Sequence, residues 1–593
     1  MTLSLIILKV FSKVMFPSLK SSGILIKRKL VIIGIHLFEV CMRSLFLVLS
    51  LFTLLSAQAA PAQKIAAGDP NAIPGGTLTY EAYEADTINP ITYKQVGATE
   101  ILVNWVMETL LDNDMATGEY IPRLAKKWEI GKDGQTFTFW LDERARFFDG
   151  KPVTAEDVKF SFEVFNIKGI KAPFKKAQVA NLESITIPKE GMVVFKSKKK
   201  LFSIFDFLAG VFILPKHLYY NEDPKKMESN QYTRAPQGSG PYAVDYWKKG
   251  DKAVLKKNPN YWGKVLPQNV GAYNFDRIVI VYVRDPQIAF EKVKKGDLDY
   301  MPIRLGNTEL MRQTRTDKAF TSGKVRAVAI HSRIQEGFGF LGYNLRNELF
   351  QDQKVRKALA LAVNRAEIIK KVLAGNANIP KGPLYSVSNF AGKFEPAPYD
   401  PAQAVRLLKE AGWTDSDNDY ILDRNGKKFS FTVIVPNARI EKELLFVQNY
   451  WKKVGVEGNI KIIEYSTWKQ LQDERKFEAL ANGRGRTMNA RDVDPFGEWH
   501  SSNTADGLGN FYGYNNPQVD ELIMKGREEF DQIKRKAIFD QVNDIVAEDY
   551  AMFQYSESKD SFHTINQRIV TPGWGGNAWF PYGIGHKYWY IKQ

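Results

Sequence analysis

Phe147-Phe148-Asp149-Gly150-Lys151-Pro152-Val153-Thr154-Ala155-Glu156-Asp157-Val158 is the most informative run in this chain. Its Thr154-Ala155-Glu156-Asp157 portion is a capping box with the acid at the third helical place, so a helix opens there and runs towards Phe165. Just upstream, residues 128–141 alternate like a pair of strands around the turn Lys132-Asp133-Gly134. Further back, Gly75-Gly76-Thr77-Leu78-Thr79-Tyr80 opens a strand, and residues 100–111 carry Leu102, Val103, Val106 and Leu110 at helical spacing.

Downstream the pattern becomes more strongly mixed. Residues 275–283 read as a strand and 285–295 as a helix stopped by Gly296. Helices follow at 352–363, at 365–373 before Gly375, and at 401–411, the last with Pro401 in its first turn and Gly412 beyond its end. A strand at 429–435, a long amphipathic helix at 439–454 and a strand at 456–465 come next. There is no internal repeat, and strands and helices recur without strict alternation. That favours an α/β, or mixed α+β, protein of several lobes.

Composition narrows the class. With 593 residues, 44% hydrophobic, 25% charged and 13% aromatic, the chain has the profile of a soluble protein with a large core. Its single cysteine, Cys41, lies ahead of the folded part, which excludes structural disulfides and thiolate chemistry there. Arg43, the apolar run 45–55 and Ala57-Gln58-Ala59 read as a signal peptide over residues 42–59, cleaved after Ala59. The apolar run is short for a membrane span of about 20 residues. Residues 1–41 match no ordinary signal region, and the start of the export signal is placed at Met42. They are either spurious or an extended leader, and residues 60–74 form a flexible, Ala/Gly/Pro-rich mature N-terminus. Removing residues 1–59 takes away seven Lys/Arg and one Glu, so the net charge falls from +16 to +10. The remaining charges are scattered, with no aromatic-interleaved basic stripe for nucleic acid.

Six segments in order resemble extracellular solute-binding protein family 5, the type that includes periplasmic oligopeptide- and dipeptide-binding receptors. They are the 147–158 run, Gly238-Ser239-Gly240-Pro241-Tyr242, Asn258-Pro259-Asn260-Tyr261-Trp262-Gly263, the segment 350–359, Tyr399-Asp400-Pro401-Ala402 with Leu407-Leu408, and Asn515-Asn516-Pro517-Gln518-Val519-Asp520. Phe275-Asp276-Arg277, Tyr343-Asn344-Leu345-Arg346 and the segment 499–506 are most similar to the longer YejA-like branch. The resemblance implies two lobes joined by a pair of crossing connections. The first would combine 75–119, 236–333 and 552–593, with a subdomain at 120–235; the second would be 334–551. It further implies a monomer that closes on a peptide-like ligand and presents it to a membrane permease and its ATPase, with no cofactor.

In that family an acid just ahead of an Asp/Glu-Pro pair, four places before the proline, holds the ligand's amino terminus. The matching stretch is Asn489-Ala490-Arg491-Asp492-Val493-Asp494-Pro495-Phe496, where Arg491 occupies the acid's place. Asp492 could take the role with a shorter loop, or Asp492 and Asp494 could only fix the turn before Pro495. Arg484, Arg486 and Arg491 could fork onto a ligand carboxylate or form a solvated basic loop. Trp499 could pack on a ligand side chain or sit in the core. Tyr83 and Glu84 fall where the first lobe borders the cleft.

No catalytic motif is present: the chain lacks Gly-x-Ser-x-Gly, His-Glu-x-x-His and a phosphate-cradling Gly-Lys-Ser/Thr loop, and its histidines are far apart. The alternatives are a binder of another solute, such as a nickel complex or an oligosaccharide, and a cleft hydrolase. Asp415-Ser416-Asp417-Asn418-Asp419 begins like a calcium loop, but Tyr420 replaces the turn glycine and Gly426 the closing glutamate, so an acidic turn is expected.

Overall fold

The computed structural model describes residues 68–592 apart from 86, 94–95, 115–118, 305, 332–336, 385–391, 437, 486–493 and 573–584. Two large sheets organise it. The first is seven-stranded, in the order Val325–His331, Asp560–Asn566, Tyr300–Ile303, Thr77–Glu81, Arg277–Val281, Lys252–Lys257, Tyr242–Lys248. Thr77–Glu81 runs parallel to both Arg277–Val281 and Tyr300–Ile303, and the other pairs are antiparallel. The second is six-stranded, in the order Ala377–Asn378, Met552–Ser558, Gly337–Tyr343, Ala479–Gly485, Ser430–Val435, Glu457–Ile462. A four-stranded antiparallel sheet of Ala125–Ile130, Thr136–Leu141, Met192–Ser197 and Leu182–Lys189 forms the subdomain and shares one apolar core with the first lobe.

The capping box forms as the sequence dictates. The Asp157 amide donates to Thr154 Oγ1 at 3.2 Å, the Thr154 amide donates to Asp157 Oδ2 at 2.9 Å, and the helix spans Ala155–Glu163. Gly296 takes the left-handed conformation (φ 98°) that ends Pro286–Lys295, where a side chain would be strained.

Two expectations are corrected. The helix expected at 100–111 instead begins at Val96 and passes into a wide turn at Leu102–Val106. It stops because Glu108, fully buried, leaves the helix to accept hydrogen bonds from Tyr261 Oη, Trp262 Nε1 and Arg123 Nε. The boundary expected at 552 also moves. Met552–Ser558 pairs with Gly337–Tyr343 in the second sheet, Asp560–Asn566 pairs in the first, and the chain crosses between the lobes at Lys559. The strand 552–558 is buried on both faces, so its side-chain pattern carries no sign of which sheet it joins.

Candidate functional site

Strand register defines the edge at which each lobe faces the crossing. In the first sheet Ile303 pairs with Phe562 and His331 with Asp560, so strands 300–303 and 325–331 end where Asp560–Asn566 begins. The parallel neighbours Thr77–Glu81 and Arg277–Val281 end on the same side, and Tyr83, Glu84, Arg284 and Arg304 follow these strand ends. In the second sheet Phe338 stands between Arg484 and Glu557, and Gly337 pairs with Gly485. Strand Ala479–Gly485 therefore ends beside the start of Gly337–Tyr343 and the end of Met552–Ser558. Residues 332–336 and Lys559 connect these two edges.

On the first edge, Arg304 Nη2 donates to Glu81 Oε1 at 2.9 Å, and the same guanidinium stacks 4.1 Å from the Tyr83 ring. Glu81 is 3% exposed, and its second oxygen makes no hydrogen bond. Burial raises its carboxyl pKa, opposed by Arg304. The Tyr83 ring remains about half exposed, and Arg284 approaches Glu84 at 3.8 Å. The result is a flat aromatic surface backed by a fixed cation, with a looser charge pair beside it. Such an edge can stack on and hydrogen-bond a ligand. Neither Glu81 nor Arg304 was identified from sequence. An alternating strand places Glu81 with Thr77 and Thr79, and nothing local reveals a partner more than 200 positions away.

The second lobe's residues separate. Arg484 lies on strand Ala479–Gly485, and Arg486, Arg491 and Asp492 lie outside the described residues. Asp494 is engaged by the protein itself: Oδ1 accepts the Phe496 amide at 3.0 Å and Oδ2 accepts Arg527 Nε at 2.9 Å. Trp499 is a correction. It is 0% exposed, stacked on Tyr512 with ring centroids 4.9 Å apart and edge-on to Tyr514, which makes it core and removes it from the ligand surface.

Among the described residues, one serine–histidine pair, Ser502 and His500, lies in the second lobe with Oγ 2.9 Å from Nδ1, and another lies near the first edge. Ser561 Oγ and His563 Nε2 are 2.9 Å apart, and Tyr300 Oη meets His563 Nδ1 at 2.9 Å. A hydrolase places a carboxylate behind its imidazole; here a phenol stands there, and the ring is buried within the sheet. This is a satisfied buried network.

A two-lobed α/β scaffold with an edge from each lobe at the crossing defines a solute-binding protein. The chain belongs to the bacterial extracellular solute-binding proteins, family 5, whose model matches residues 119–507. It is 28% identical over 521 residues to the oligopeptide-binding protein AppA of Bacillus subtilis, covering 86% of this chain and 91% of that one. The structure of Bacillus subtilis AppA in complex with a nonapeptide superposes with a TM-score of 0.73 at 26% identity, covering 88% of this chain and all of that one. NikZ from Campylobacter jejuni in complex with Ni(L-His) gives 0.70 at 25% identity, covering 83% and 94%. The match is to the family and does not single out the YejA-like branch. Membership makes this a binding protein and not an enzyme. Among the described residues no helix is long and apolar enough to cross a membrane.

Proposed function

We propose that this protein is the periplasmic capture component of an ABC-type importer, binding a peptide or peptide-derived solute between its lobes for delivery to a membrane permease and its ATPase. The observation that carries this is the shared direction of the two sheet edges. Tyr83, Glu84 and Arg304 follow strand ends of one lobe, and Arg484 closes the facing strand end of the other. The nonapeptide held by the AppA relative supports a main-chain ligand. In this reading Asp492 meets the ligand's amine, and Arg484, Arg486 and Arg491 meet carboxylate or carbonyl oxygens. The exported form begins after Ala59 and acts as a monomer.

A nickel complex is the second reading, favoured by the likeness to NikZ. Calorimetry with a mixed peptide library, nickel–histidine and oligosaccharides separates them: peptide binding is expected, and tight binding of either other class with no peptide response overturns the proposal. Asp492→Ala should weaken peptides with a free amino terminus more than N-acetylated ones. An equal loss for both removes Asp492 from the anchor role.

A further inference from the structure

Helix Phe202–Gly210 belongs to the subdomain, where Ile204, Phe205 and Leu208 enter the first lobe's core and Asp206 Oδ1 accepts Tyr120 Oη at 2.7 Å. Its first residue does not. Phe202, 4% exposed, is packed in the apolar cluster of the second lobe, 6.2 Å from the Phe539 ring and with the Arg535 guanidinium 4.0 Å above it. The next residue, Ser203, accepts a long hydrogen bond through Oγ from Arg527 Nη2 at 3.5 Å. Lys200 Nζ reaches within 5.8 Å of the Phe530 ring. The subdomain thus makes a non-covalent bridge to the second lobe, beyond the two connections of the chain.

Arg527 stands at the centre of this bridge. It is 7% exposed, donates through Nε to Asp494 Oδ2 at 2.9 Å, and lies 4.0 Å from the Phe496 ring. A planar guanidinium holds these three directions at once, which an ammonium cannot. Its neighbour Gly526 brings helices Pro517–Glu528 and Gln532–Glu548 together: a Cβ there would lie 2.2 Å from Phe539 Cε1. The same close approach therefore presents both Phe539 to Phe202 and Arg527 to Ser203.

We propose that Arg527 is a positioning residue for ligand capture, coupling the turn at Asp494 to the docking of Phe202 and Ser203, so that the second lobe's binding edge is set when the subdomain is docked. Its ligand half rests on the peptide-capture reading above; its docking half does not. The long Ser203 contact and the single seated ring suit a contact that forms and breaks with lobe movement.

The test uses the full chain in a Cys41→Ser background, with spin labels at Glu183→Cys and Glu521→Cys, both exposed positions on opposite sides of the contact. Electron–electron distance distributions should be narrow in the parent and gain a longer population in Phe202→Ala and in Arg527→Ala. Ser203→Trp, a wedge at a half-buried position, should do the same and serves if the alanine variants fail to fold. Affinity for the peptide mixture should fall about tenfold in Arg527→Ala, within the usual range of coupling between sites. Arg527→Lys, which keeps the ion pair with Asp494, should lose about threefold or less. Unchanged distances in all three variants overturn the proposal, as does a changed distance with unchanged affinity. If the parent binds no peptide, the capture reading falls, and the distances alone decide the docking.

Discussion

Tyr261 donates its phenolic proton to Glu108 at 2.6 Å, joining the Asn-Pro-Asn-Tyr-Trp-Gly segment to the point where the first helix breaks. Trp262 Nε1 donates to the other oxygen at 2.8 Å, and Arg123 Nε donates at 3.1 Å. A buried carboxylate with this many donors is a structural anchor, because without it the Tyr261 and Trp262 donors would be left unsatisfied in the core and Arg123 would keep only Asp112.

Glu108→Ala should therefore destabilise the fold by about 3 kcal/mol, the cost of leaving the buried Tyr261 and Trp262 donors unpaired while Arg123 keeps only its 3.3 Å contact with Asp112. Glu108→Gln, which keeps an acceptor, should lose less. Urea unfolding of both variants checks the order, and equal losses would show that packing and not the hydrogen bonds sets the cost.

Arg304→Ala should cost about 3 kcal/mol, because it strands the Glu81 carboxylate in the core. Adding Glu81→Gln should recover part of that loss, since the stranded charge is then gone. A double variant no more stable than Arg304→Ala alone would remove the pair from the account. The same substitution removes the cation beneath Tyr83, so calorimetry should show weaker ligand binding.

Lys175 gives a pH signature. Its ammonium lies 4.0 Å over the Tyr93 ring and makes long contacts of 3.4 and 3.3 Å with the Pro90 and Ile91 carbonyls, and burial lowers its pKa to about 7. Between pH 7 and the ordinary lysine value the unfolded chain holds this proton and the folded chain does not, so stability rises with pH in that window. Below pH 7 both states are protonated and the burial penalty is present in full. Lys175→Met should raise Tm at pH 6 and lose that advantage by pH 9.5. A Tm gain independent of pH would mean that the lysine does not titrate there.

The acidic turn at Asp415–Asp419 already holds a cation. Asp415, Asp417 and Asp419 present oxygens within 4.8 Å of one another, and Lys428 Nζ lies 2.6 Å from Asp417 and 3.0 Å from Asp419. These partners raise the Lys428 pKa. Millimolar calcium should leave Tm unchanged in the parent and raise it by ~2 °C or more in Lys428→Met, where the carboxylates lose their counterion. A calcium response in the parent would overturn the assignment of the turn as a lysine-neutralised loop.

Legibility followed the range of the contacts. The Thr154–Asp157 box, the Gly296 and Gly412 stops and the Pro401 helix start are local, and each was readable within a few residues. The helix at 100–111 was misread because its end is decided by Tyr261 and Trp262, more than 150 positions away. Trp499 was equally compatible with cleft and core, since an aromatic side chain suits both. Its stacking on Tyr512 settles the matter.

By itself the sequence determined the α/β class and the family, because these rest on local patterning and on motifs in fixed order. Tertiary structure alone decided that the second crossing falls at Lys559, that Glu81 and Arg304 form one edge, and that Arg527 bridges Asp494 to Ser203. The reason is physical: a charge in a core is tolerated only beside its partner, and that partner is chosen by the fold and not by position along the chain.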